Sequence, residues 1–173
     1  MEILITVLAV IQSFAISLGV GSSTLAVVGF FVAIYDGTID ATERKMMGVG
    51  YIILRVSMML ILGTTAAVAM VVILSQGAAS VPLYTIEQLV LTLVLFINAS
   101  LMTMRLMPSS FGPAIQAGSW YTLGVLAALN AQGIDSFSFA QFILGYIALV
   151  ALFVFGINSY MAYLTSKRSS TAS

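Results

Sequence analysis

The chain has 173 residues, 61% of them hydrophobic and 7% charged, and its six basic and six acidic residues leave no net charge. Its mean hydropathy of +1.13 lies far above the soluble range. Cysteine and histidine are both absent, which excludes disulfides, thiol chemistry, imidazole metal sites and a bis-histidine haem, and removes the side chain best suited to proton transfer near neutral pH. Without a basic block, nucleic acid is not an expected partner.

The first apolar run covers residues 3–35. As one helix it would measure about 48 Å against a hydrocarbon core of ~30 Å. Two full spans do not fit, so the run predicts one long tilted helix, or a helix kinked or broken at Gly19-Val20-Gly21. No positive segment precedes it, the only early charge being Glu2, so it reads as a retained helix rather than a cleaved signal.

The second predicted helix covers residues 41–75. Asp36-Gly37 closes the first run, and Asp40 with Glu43 forms a capping box for the second, one side chain accepting an orphan N–H while the other reaches back. Thr85 and Gln88 have the same spacing and predict a start for helix three, over 86–107, which Pro108 stops. Gly112-Pro113 opens helix four, over 113–132, with Gly133 as its C-terminal cap. Ser138 and Gln141 form a third capping box for helix five, over 138–165. The remaining 166–173 is expected to be a short polar, disordered cytoplasmic tail. Residues 1–165 thus read as a single all-α domain, a polytopic bundle of five transmembrane helices.

With five spans, Arg44, Lys45, Arg105, Lys167 and Arg168 fall on one side of the membrane, and Glu2, Glu87 and Asp135 on the other. The positive-inside rule then predicts an external N-terminus and a cytoplasmic C-terminus. The sixth basic residue, Arg55, lies inside an apolar run about 15 Å beyond Lys45. It reads either as an intramembrane cation facing a cavity, or as a snorkelling side chain at the headgroup level, with Tyr51 one turn away under both readings.

Helix one carries the densest polar set. Ser13, Ser17, Gly21 and Thr24 follow one stripe, and Gln12, Gly19 and Ser23 an adjacent one. Small-residue packing accounts for them, and so does a partly unwound segment lining a solute site. Asn98 sits near the middle of helix three and requires a partner. Trp120 and Tyr121, and likewise Tyr160 and Tyr163, suit an aromatic belt. Met102, Met104 and Met107 cluster near the end of helix three. Thioethers bind Cu(I), but without Cys or His flexible packing is the better account, and neither metal nor cofactor is expected. Every carboxylate is expected at a helix end or in a loop, leaving none for proton coupling.

Within residues 19–43, a Gly/Thr-rich segment is followed by Phe30-Phe31, by Asp36-Gly37-Thr38-Ile39 and by Glu43. This stretch resembles a segment of some bacterial multi-pass proteins. The resemblance implies a small protein of the bacterial plasma (inner) membrane, and no site is carried over from it.

The functional expectation is a small integral membrane protein that binds or passes a small solute through Gln12, Ser17, Ser22, Ser23 and Thr24, with Arg55 and Asn98 as additions. Its expected partners are the lipid bilayer and that solute. The alternative is a structural or assembly subunit, its small-residue stripes meeting another membrane protein or a second copy of the chain. An intramembrane enzyme is disfavoured, because no Ser/His or Asp/Asp arrangement exists.

Overall fold

A computed structural model describes residues 2–36, 40–108, 111–134 and 137–171. The helices are α1 (Glu2–Asp36), α2 (Ala41–Gln76), α3 (Leu83–Thr103), α4 (Phe111–Ala131) and α5 (Phe139–Thr171), with one 3-10 turn at Ala78–Ser80. No strand occurs among the described residues. Four helices, α1, α2, α3 and α5, are long and apolar enough to cross a membrane. The fourth in sequence, α4, is less apolar, since Gly, Ser and Thr occupy positions that it buries against other helices.

The caps explain most boundaries. Asp40 Oδ1 accepts from the Glu43 N–H at 2.6 Å, and Glu43 Oε2 accepts from the Asp40 N–H at 3.0 Å. At the start of α5, Gln141 Oε1 accepts from the Ser138 N–H at 2.7 Å and the Ser138 hydroxyl accepts in return at 3.4 Å. Two helices end in Schellman closures. In α4, Gly133 takes a left-handed φ of 68° while the Ile134 N–H donates to the Leu129 carbonyl. In α3, Arg105 takes a φ of 59° while the Leu106 N–H donates to the Leu101 carbonyl. This closure ends α3 at Thr103, ahead of the predicted stop at Pro108.

Of the two forms expected for helix one, the long continuous helix is the one observed, unbroken through Gly19-Val20-Gly21; a Gly costs a helix little, and at Gly19 the missing side chain serves packing. Two local expectations are corrected. Thr85 and Gln88 form no capping box. Pro82 caps α3 three residues earlier, with the Thr85 N–H donating to its carbonyl, so Thr85 and Gln88 lie inside the helix and are buried. The predicted disordered tail is largely helical, because α5 runs on to Thr171. Gly37, the other half of the expected close of run one, lies outside the described residues.

Packing closes a ring of four. α1 packs along α2, α2 on α3, α3 on α4 and α4 back on α1, while α5 lies outside the ring against α4 and touches α3. The buried stripes follow helical spacing: Gln12, Ala15, Ile16 and Gly19 on α1; Leu54, Ser57, Met58, Ile61 and Thr65 on α2; Gln88, Leu91, Thr92, Leu95 and Asn98 on α3. Because α4 has neighbours on three sides, its buried set runs nearly all round.

Trp120 is the largest side chain in the core and is 0% exposed. It is not part of an aromatic belt, as its position in the run suggested. Its ring packs against Gly19, where a Cβ would overlap the indole. On the far side of α4, a Cβ on Gly118 would come within 2.7 Å of Val150, so α5 also approaches closely through a glycine. Tyr121 is likewise drawn inward: its hydroxyl pairs with that of Thr24 at 2.8 Å and its ring meets Phe153 at 5.1 Å between centroids. Gly19→Ala is therefore expected to cost about 1–3 kcal/mol of unfolding free energy in detergent, as overpacking does. Gly21→Ala, which meets nothing within 4 Å, is expected to change stability little.

Candidate functional site

Two polar layers bracket the Trp120 layer inside the ring. The first joins α1, α2 and α3. The Gln12 amide nitrogen donates to Thr65 Oγ1 at 2.9 Å and to Gln88 Oε1 at 2.6 Å. The Gln88 amide nitrogen donates in turn to the Tyr84 hydroxyl at 2.6 Å. Thr92 returns its hydroxyl to the Gln88 carbonyl at 2.7 Å. Because Pro82 starts α3, Gln88 lies within the helix, where it is buried in the bundle.

The second layer joins α3 to α4 and reaches α2. The Asn98 amide nitrogen donates to the Gly112 carbonyl at 3.0 Å and to Gln116 Oε1 at 3.1 Å. The Gln116 amide nitrogen faces the Met58 sulfur at 4.0 Å. Asn98 Oδ1 is buried and accepts no hydrogen bond. Gly112 permits this approach: a Cβ there would come within 2.8 Å of Met102.

Beside the second layer lies a half-open cavity of about 290 Å³, lined by Tyr51, Leu54, Arg55 and Met58 of α2, Ala99, Met102 and Thr103 of α3, and Gln116 of α4. Arg55 is exposed along one wall and makes no ion pair among the described residues. The cavity thus offers a guanidinium, an aromatic ring, a hydroxyl and an amide over a floor of thioether and aliphatic groups. Such a lining suits a small molecule with an anionic head and an apolar body. The cavity does not run through the bundle, because Ile61, Leu91, Leu95, Trp120 and Leu123 fill the layer beyond it.

The residues expected to act together from helix one are dispersed. Gln12 belongs to the first polar layer, and Thr24 pairs with Tyr121 after donating to the Val20 carbonyl at 2.8 Å. Ser22 and Ser23 are buried. Ser17 faces outward and returns its hydroxyl to the Ser13 carbonyl at 2.9 Å. None of them lines the cavity, whereas Arg55 does and Asn98 is bonded to Gln116 at its edge. Thr65, Gln116 and Met58 acquire roles only through contacts distant in sequence. Glu87 departs furthest from expectation. It is 0% exposed within α3, and neither carboxylate oxygen has a hydrogen-bond partner. The expectation that no carboxylate is buried is corrected accordingly.

Comparisons with protein-family models, with curated proteins and with solved structures find no match. A double-mutant cycle of Gln12→Leu and Gln88→Leu, read by unfolding in mixed micelles, is expected to give a coupling of about 0.6–1.7 kcal/mol, the range of hydrogen bonds between membrane helices. A coupling near zero would mean that the two amides do not hold α1 to α3.

Proposed function

We propose that this small integral membrane protein binds a small amphiphilic anion, such as an alkyl or aryl carboxylate, in the cavity beside Arg55. The observation that carries the reading is the guanidinium of Arg55, unpaired among the described residues, on the wall of a cavity whose remaining lining is largely apolar. Arg55 would hold the head bidentately, Gln116 and Thr103 would add polar contacts, and Met58, Met102 and Tyr51 would take the body. The filled Trp120 layer favours binding over open passage. With Arg44, Lys45, Arg105, Lys167 and Arg168 on one side, the positive-inside rule favours a cavity nearer the cytoplasmic face, an external N-terminus and a cytoplasmic C-terminus. The role is one of binding rather than catalysis, since no nucleophile and base stand together at the cavity.

Titration of the purified protein in mild detergent with benzoate and with hexanoate tests the reading. Saturable binding is expected, weakened at least about tenfold, or ~1.4 kcal/mol, by Arg55→Gln and less by Arg55→Lys. Binding that Arg55→Gln leaves unchanged would contradict it.

An assembly role keeps one specific support. Ser13, Ser17 and Gly21 lie on an exposed stripe of α1, with small residues spaced every four positions. Because the chain has no cysteine, Ser17→Cys gives a single thiol. If two copies meet along this stripe, mild oxidation in membranes yields a disulfide-linked dimer; if they do not, the chain stays monomeric on non-reducing gels.

A further inference from the structure

We infer that Glu87 is a proton-binding site built into the membrane bundle. Its carboxyl group is neutral in the packed state and releases its proton only when water reaches the start of α3. The inference does not depend on the anion reading, since Glu87 lies at the level of the Gln12–Gln88 layer and the cavity lies near the other end of α3.

Glu87 sits one turn inside α3, is 0% exposed, and has two buried oxygens with no hydrogen-bond partner. Among the described residues an ionised carboxylate there would have neither a donor nor a cation to stabilise it, and burial shields it from solvent, so the neutral form is favoured.

The charged and titratable groups on the neighbouring elements do not alter this. On α2 they are Glu43, Arg44, Lys45, Tyr51 and Arg55, and the pairing of Thr65 with the Gln88 layer places them all toward the far end of α3. On α1 the group in this layer is the neutral Gln12. On α4 it is Tyr121, paired with Thr24, and on α5 Tyr146, 3.0 Å from the Ser119 hydroxyl, with Tyr160 and Tyr163 nearer the C-terminus. On α3 itself Tyr84 accepts from Gln88. No group of three or more acidic residues that would hold a metal ion occurs among the described residues. The ligand that fits a lone, unpartnered carboxyl group is a proton.

The position gives the proton a consequence. Gln88, the next residue, closes the ring between α1, α2 and α3 at this level. Ionising Glu87 requires hydration of the same segment, and hydration competes for the amide bonds of Gln88. Proton release and loosening of this end are thus thermodynamically linked, each favouring the other.

Infrared spectroscopy of the purified protein in detergent, compared with Glu87→Gln, tests the inference. A carboxyl group in contact with water is ordinarily ionised at neutral pH, so the C=O stretch of a protonated carboxylic acid reports a shielded group. The wild type is expected to show this band, Glu87→Gln to lack it, and raising the pH to remove about tenfold per unit once its midpoint is passed. A wild-type spectrum with only carboxylate bands at neutral pH overturns the inference, as does a band retained in folded Glu87→Gln. Should the variant not fold, dicyclohexylcarbodiimide decides on the wild type. A protonated carboxyl adds across its C=N bond, the proton passing to nitrogen with nothing leaving. An adduct mapped to Glu87 supports the assignment, and one confined to another carboxylate overturns it.

Discussion

The structure depends on one constraint: inside a bilayer, a polar group is stabilised only by what the protein brings to it. The hydrophobic effect, which drives soluble cores together, does little between helices already surrounded by lipid. Association therefore falls to close packing and to hydrogen bonds between helices. Gln12, Thr65 and Gln88 meet that requirement for α1, α2 and α3, and Asn98 and Gln116 meet it for α3 and α4. Between the two layers, Gly19 lets the ring of Trp120 lie against the α1 backbone. Polar layer, aromatic layer, polar layer is the sequence along the bundle axis.

The same constraint divides the bundle into two unlike ends. At one end the amides satisfy one another and leave a single carboxyl, Glu87, with no partner. At the other, the helices leave a cavity, and the groups without a partner among the described residues include a cation, Arg55, a hydroxyl, Ser57 Oγ, and a carbonyl oxygen, Asn98 Oδ1. A guanidinium and a neutral carboxyl group are thus held at opposite ends by a filled core rather than paired. α5 takes no part in the ring and contacts it through Gly118 and a few aromatic contacts, so the sites are the work of α1 to α4.

What could be read from the sequence was what is local. The all-helical membrane class followed from composition, and the Asp40–Glu43 and Ser138–Gln141 boxes from spacing over four residues. The Thr85–Gln88 spacing misled because Pro82 starts the helix first, and a pattern of four residues carries no information about which cap wins. Gly19 was visible as an oddity, but its meaning lies in Trp120, on another helix far along the chain. Of the two polar stripes on helix one, the denser, with Ser13, Ser17 and Gly21, faces outward, and the one holding Gln12 faces in. Hydroxyls can bond back to the preceding turn of their own helix and so tolerate lipid, whereas the Gln12 amide finds its partners on α2 and α3. Glu87 looked like a terminal residue because hydropathy locates the end of a run without saying which way a side chain points.

The central claim is that one end of the four-helix ring opens into the Arg55 cavity while the Gln12–Gln88 end and the Trp120 layer are closed. The absence of native cysteine makes accessibility scanning the most direct measurement. Single cysteines at Met58, Ala99 and Thr103, and at Thr65, Thr92 and Ser119, would be exposed in membranes to a small water-soluble thiol reagent. The account predicts modification at the first three positions, slowed by hexanoate, and none at the last three. Modification at Thr65 and Thr92, or equal inertness at all six positions, would contradict it.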